Sequence, residues 1–404
     1  LFGFPSYPAL GGVEKGSRRR GFRLKPHERP TDRKMKRDRP ARPDVRGGVG
    51  VDRGGRSDKF LGAAPGTGRS SSPGSETSVP TVSPEESAVP NESAPQPPRA
   101  VHRSVLMDEV VEWLAPREGS VLVDGTAGAG GHSAALARRV GSGRVVGFDR
   151  DPNMLTLARS ATAGLPVDLV HAPYSSMREG LAELGIAAGT VDGVLLDLGL
   201  SSDQLAWRDR GFSFGSEGPL DMRFDPTSDG PTAAELLAEL PAEELAKAFF
   251  EFGEERFSRR IARRIVETRE AQPLTTTSQL ADLVRRCIPG KLRHGPIDPA
   301  TRVFQALRIL VNDELEHLDS ILATLPEILA PHGRAAIISF HSLEDRRVKW
   351  AFRNDPRWTI LTKKPITATA EETAVNPRAR SAKLRVAERW SNQEPIPTPT
   401  SPRI

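Results

Sequence analysis

A single cysteine, Cys287, stands in 404 residues, so no intramolecular disulfide can form and no cysteine-rich zinc site can be built. A reducing compartment, the cytoplasm, is the expected location. No apolar run approaches the roughly 20 residues that a bilayer-crossing helix needs. No membrane partner is therefore expected. A secretory signal is not expected either, because no apolar stretch of about 7–15 residues follows the first basic cluster. The length exceeds what one compact core usually holds, leaving two domains or one domain with tails.

The +5 charge is unevenly spread. Residues 1–60 hold 17 basic against 7 acidic side chains, and residues 61–100 hold 2 against 4. The other 304 residues carry 38 basic and 41 acidic ones, so the basicity belongs to the first hundred residues. That stretch, from Arg18-Arg19-Arg20 to Pro95-Gln96-Pro97-Pro98, is rich in Pro, Gly, Ser and Arg and has no apolar period. It reads as a disordered tail over residues 1–100. It is either a polyanion-binding arm or a plain linker, and the opening Leu1 also suits an over-extended gene start.

Order is expected from Val101. Apolar residues at 106, 110, 111 and 114 recur at helical spacing before Pro116. Val121-Leu122-Val123-Asp124 then reads as a buried strand ending in a carboxylate, followed by the glycines of Gly125 to Gly131 and a helix from Ser133 to Val140. Strand, glycine turn, helix opens a nucleotide-type α/β fold. A phosphate-binding loop would need Lys and Ser/Thr after Gly130, where Gly131 and His132 stand. A dinucleotide fingerprint started at Gly128 would need glycine where Ser133 stands. What remains is a ligand without a pyrophosphate whose amino-acid part lies on the glycine turn, and S-adenosylmethionine is the candidate.

A second strand, Arg144 to Asp149, ends in a carboxylate 19 residues past Gly130. Such a residue can accept both ribose hydroxyls, or it can simply cap a helix. Val167–His171 reads as a third strand; Tyr174 behind it either packs on the adenine ring or anchors a loop. The fourth, Val191–Asp197, projects Asp197 beyond a strand's carboxyl end, the best catalytic position. After it, residues 205–301 read as an inserted, mostly helical region. Thr232 to Glu235 forms a capping box, and helical patterns cover 242–252 and 254–270. Arg256, Arg260, Arg263 and Arg264 share one face beside Phe257, Ile261 and Ile265. That ridge is either a solvated face or a phosphate-binding surface. One long helix from about Arg302 to Ala330 leads to a strand at Arg334–Phe340, with the core resuming over 302–390 and a disordered end over 391–404.

The stretches Asp124 to His132, Phe148 to Pro152, Leu195 to Ser202, Arg210 to Phe214, Gly218 to Arg223, Gly253 to Phe257, Phe304 to Ile309, Ser339 to Arg346 and Asn376 to Ser381 resemble the bacterial RsmH (MraW) family in order and spacing. Asp298 departs from it, standing where histidine is usual. The resemblance implies an α/β, Rossmann-like S-adenosylmethionine-dependent methyltransferase core, first part 101–204, with an inserted all-helical domain. It also implies methylation of the exocyclic N4 of a cytidine in the decoding centre of 16S rRNA, within the small ribosomal subunit. By motif, the cofactor residues would be Gly130, Gly131, His132, Asp149, Tyr174, Asp197 and Gln204. Methylation at ring carbon 5 would instead need a cysteine nucleophile, and Cys287 lies far in sequence from the strand ends. A methyltransferase for an amino group of another RNA, DNA or protein remains open, as does a non-catalytic RNA-binding assembly factor. Monomer and homodimer are equally open, and no metal site is expected.

Overall fold

The computed structural model describes residues 104–293, 295 and 297–390. The expected disordered tails and the start of order at Val101 lie outside these residues. Elements follow in the order α1 (Met107–Leu114), β1 (Val121–Asp124), α2 (Gly131–Ala137), β2 (Arg144–Asp149), α3 (Pro152–Ala161), β3 (Val167–His171), α4 (Met177–Glu183), β4 (Val191–Asp197) and α5 (Ser202–Ala206). After these come α6 (Ala233–Glu239), α7 (Ala242–Glu251), α8 (Ser258–Ala271), α9 (Thr277–Cys287), α10 (Ala300–Asn312) and α11 (Glu314–Ile328). The chain then forms β5 (Leu329–Ser339), α12 (Ser342–Asn354), β6 (Trp358–Ile360), α13 (Ala370–Val375) and β7 (Lys383–Arg389).

One seven-stranded sheet organises the described chain, in the order β3-β2-β1-β4-β5-β7-β6. The first five strands run parallel; β7 is antiparallel to both β5 and β6. Parallel strands covered on both faces need apolar residues at successive positions, and β1, β2, β4 and the second half of β5 have them, whereas the edge strand β3 does not. Val123, Val146, Val194, Leu196 and Ile337 face one core with α4, α11 and α12. Leu122, Val145, Leu195 and Ile338 face the other, with α1 and α2. This double coverage fixes the strand register, and so aligns the carboxyl ends of β1, β2 and β4 along one rim.

Between β4 and β5 the regular elements among the described residues are helical. Thr232 and Glu235 form the expected capping box on α6, and Thr276 and Gln279 form another on α9. The single long helix expected from Arg302 is two helices: Asp313 turns left-handed at φ 48° and separates α10 from α11. The strand after it begins at Leu329 rather than Arg334, and β6 and β7, which the sequence pattern did not reveal, extend the sheet beyond it. Helix α8 starts at Ser258, so Arg256 precedes the helix whose face it was expected to share. The core was expected to resume at 302, whereas α10 packs against α6, α7 and α9.

Candidate active site

The site grows from the rim of the sheet. At the end of β1, Asp124 is fully buried and turns inward. It accepts hydrogen bonds from the Ser133 hydroxyl at 2.7 Å and the Thr126 amide at 3.2 Å, which ties the glycine turn to the start of α2. Within that turn Gly128 and Gly130 both take positive φ, 52° and 88°. Gly128 lines a cavity, and a side chain there would project beside the cavity wall on a strained backbone. Gly130 serves packing instead. A Cβ on it would lie 2.9 Å from the Ala158 Cα of α3, and it is not among the residues lining the cavity, unlike Gly131 and His132.

At the end of β2, the Asp149 carboxylate accepts from the Gly128 amide and from the Asp151 amide, each at 2.8 Å. Those bonds lock the turn to β2 and leave acceptor capacity on both oxygens of a carboxylate that lines the cavity. Burial pushes its pKa up to about 6, against the pull of the two amides. The next carboxylate, Asp151, is buried completely and builds the frame. It caps α3 through the Asn153 amide at 3.0 Å and holds the Arg210 guanidinium at 3.0 Å and the Gln204 side-chain amide at 2.9 Å. Gln204 lines the cavity, but its oxygen accepts from the Ser201 amide and its nitrogen is given to Asp151, so its polar atoms serve the fold.

Tyr174 opens a 3-10 turn after β3 and also lines the cavity. Its hydroxyl donates to the Glu314 carbonyl at 3.4 Å and its ring meets His317 edge-on. At the end of β4, the Asp197 amide donates to the Thr126 hydroxyl at 2.6 Å, and its Oδ2 lies 3.7 Å from His132 Nε2. Buried Asp197 Oδ1 has no hydrogen-bond partner among the described residues. Burial pushes this carboxyl up to about 7, although the charge of Arg378 draws it down. The structure thus brings Gly131, His132, Asp149, Tyr174, Asp197 and Gln204 around one cavity.

Several lining residues carried no expected role in the sequence. Arg378 reaches the cavity from the segment before β7, donating to the Ser202 hydroxyl at 3.2 Å with its guanidinium over the Phe340 ring. Glu314 lines it while gripping Arg308 through two bonds of 2.7 and 2.8 Å. Glu344, which accepts from the Phe340 amide at 2.8 Å, closes the same side. No local spacing rule could join residues so far apart in sequence; the only signal was that Asn376 to Ser381 and Ser339 to Arg346 each formed a recognisable motif.

The expected arginine ridge lies elsewhere. Arg260, Arg263 and Arg264 line a second concavity together with Glu267, Arg286 and Cys287, while Arg256 is not among its lining residues.

A sequence profile described as the MraW methylase family matches residues 99–390. The chain is 52% identical over 298 residues to a Synechococcus sp. (strain JA-3-3Ab) protein named ribosomal RNA small subunit methyltransferase H, covering 72% of this chain and 95% of the relative. A Sorangium cellulosum (strain So ce56) protein of the same name is 50% identical over 313 residues, covering 76% and 98%. A third so named, from Heliobacterium modesticaldum (strain ATCC 51547 / Ice1), is 46% identical over 309 residues, covering 71% and 98%.

Proposed function

Because this chain belongs to the MraW methylase family, we propose that it transfers a methyl group from S-adenosylmethionine to N4 of a cytidine in the decoding centre of 16S rRNA, in small ribosomal subunits of the cytoplasm. The observation that carries the reading is Asp197. A half-buried carboxylate with one buried, unpartnered oxygen stands at a strand end, on the same cavity as a glycine turn and a second carboxylate. An orphaned buried acceptor costs free energy unless a ligand completes it. The donor set also suits the cofactor: acceptors for ribose hydroxyls at Asp149, an aromatic face at Tyr174, and a turn open at Gly128 and Gly131.

Bound S-adenosylmethionine would supply an electrophilic methyl group on a positively charged sulfur. Around it, Asp149 would accept the ribose hydroxyls, Tyr174 would pack on the base, and Gly131 and His132 would border the amino-acid part. Gln204 contributes by holding Asp151, and with it the bend that follows Asp149. Gly130 supports the turn from behind.

The acceptor amine is a poor nucleophile, because its lone pair is delocalised into the pyrimidine ring. Hydrogen-bond acceptors on its two hydrogens favour the pyramidal nitrogen of the transition state. Asp197 and the carbonyls of Leu198, Gly199 and Leu200, residues that line the cavity, would serve as those acceptors. With its carboxyl pushed up to about 7, Asp197 is also suited to take the proton that the methylated amine sheds. A cytidine inside paired RNA must first be unstacked to reach this depth.

The test is to incubate the purified protein with labelled S-adenosylmethionine and small-subunit particles lacking the modification, then digest the RNA and identify nucleosides by mass spectrometry. N4-methylated cytidine at one site is expected. Label on another nucleoside or on protein would replace the substrate, and cofactor binding without transfer would point to an assembly factor.

A further inference from the structure

A second concavity lies where α8 and α9 meet. The two helices are in contact, and each buries an apolar face that includes Ile261, Ala262 and Ile265 on α8 and Leu280, Leu283 and Val284 on α9. Beside that seam, Arg260, Arg263 and Arg264 of α8 converge with Arg286 of α9 around the buried Cys287. Only one carboxylate, Glu267, joins them, and it is engaged with Arg264 at 3.2 Å. Arg263 Nε donates weakly to the Arg259 carbonyl at 3.4 Å, and neither Arg260 nor Arg286 has an ion-pair partner among the described residues. The Cys287 thiol is pushed up by burial but drawn down by the charges of Arg260, Arg264 and Arg286, as expected if those charges crowd one spot.

Several other arginines of this fold are paired with carboxylates. Arg285, one residue from Arg286, is held by Asp282 and Asp298, each at 2.9 Å; Arg308 is held by Glu314 and Arg210 by Asp151. Four guanidinium groups facing one carboxylate repel one another, and Arg260 and Arg264 are like charges one turn apart on the same helix. All four side chains are exposed, so water and salt screen part of that repulsion, and an anion arriving from solution would relieve what remains. Arginine guanidinium groups from two helices and a single carboxylate line the notch, so the guest they favour carries negative charge. Planar forks of this kind match phosphate oxygens two at a time.

We infer that the notch between α8 and α9 is a phosphodiester subsite that seats the backbone of the RNA substrate, with Arg286 of α9 as one wall and Arg256 outside it. This rests on the reading of RNA as the substrate. It differs from a ridge along one helix, because it requires two helices and an arginine that no single-helix pattern includes.

The test compares wild type with the triple variant Arg260→Gln, Arg263→Gln, Arg286→Gln, which leaves the Arg264–Glu267 pair intact. Affinity for small-subunit RNA is measured at several salt concentrations. The slope of log affinity against log salt should fall by about 0.7–0.9 for each phosphate that is no longer neutralised. Restoring charge with Lys at the three positions should recover most of the slope, and S-adenosylmethionine affinity should stay unchanged throughout. Should the triple variant fail to fold, the single change Arg286→Gln should lower the slope by about one such increment. An unaltered slope in a folded variant, while wild type methylates the RNA, overturns the notch. Failure of wild type to methylate any RNA overturns the substrate reading instead, and a reduced slope would still support the notch.

Discussion

Asp149 and Asp197 share an environment that opposes their charge. Burial raises both, to about 6 and about 7 from an ordinary value of 3.8. For an acid raised in the folded state, the stabilising contribution is complete below the unfolded value near 4 and is lost as pH climbs through 6 to 7. From these two groups the ligand-free protein should be more stable near pH 5 than near pH 8. A positively charged methyl donor has the opposite preference, since it favours both ionised carboxylates. Its affinity should therefore rise between pH 5 and pH 8, with protons released on binding. Titration calorimetry at pH 6.5 in two buffers of different ionisation enthalpy reads that release, and a binding enthalpy independent of buffer would refute it. In the same instrument Asp149→Ala should lose about 2–4 kcal/mol of donor affinity, because hydrogen bonds to a charged acceptor contribute roughly 1.5–3 kcal/mol each. An unchanged dissociation constant would remove Asp149 from the site.

The turns between elements carry the site's geometry, and Gly130 is the clearest case. Its φ of 88° and the Ala158 Cα that a Cβ would meet at 2.9 Å make Gly130→Ala doubly unfavourable. A loss of about 1–3 kcal/mol in stability is expected from strain of this kind. Denaturant unfolding measures it, and a midpoint equal to wild type would refute the packing role. This level also explains what could be read in advance. Strands β1 to β4 were legible to the residue, because each is a short apolar run bounded by turn residues, and β1, β2 and β4 each close on an aspartate. The helix break was not, because one left-handed residue at Asp313 leaves the apolar spacing on both sides intact. Arg378 was equally hidden: its link to Asp197 depends on how the sheet edge closes, and no periodicity records that.

At the scale of the whole molecule, a buried polar network connects the inserted stretch to the sheet. Arg210 spans the two, binding Asp151 behind β2 and the carbonyls of Arg223 and Phe224 at 2.9 and 2.8 Å. Asn312 repeats the link, accepting from the Phe224 amide at 2.7 Å while its carbonyl receives Arg150 at 2.9 Å. Arg210→Ala should cost about 3–5 kcal/mol, because it strands the fully buried Asp151 charge. Calorimetric unfolding decides this, and a loss below about 1 kcal/mol would mean that the Asn153 and Gln204 donors suffice for Asp151. Deleting residues 1–98, where no core-forming pattern exists, should leave the unfolding temperature and donor affinity unchanged. A marked fall in either would mean that the tail docks on the core. The antiparallel strand β7 has one more consequence, which concerns synthesis. It sits inside the sheet, between β5 and β6, yet it is the last of them to be translated. Until Arg389 has emerged, β5 carries a bare edge ready to pair with other chains, and Arg378 has only just become available. A chain cut short before β7 should therefore be prone to aggregate through that edge rather than behave as a slightly shorter version of the same fold.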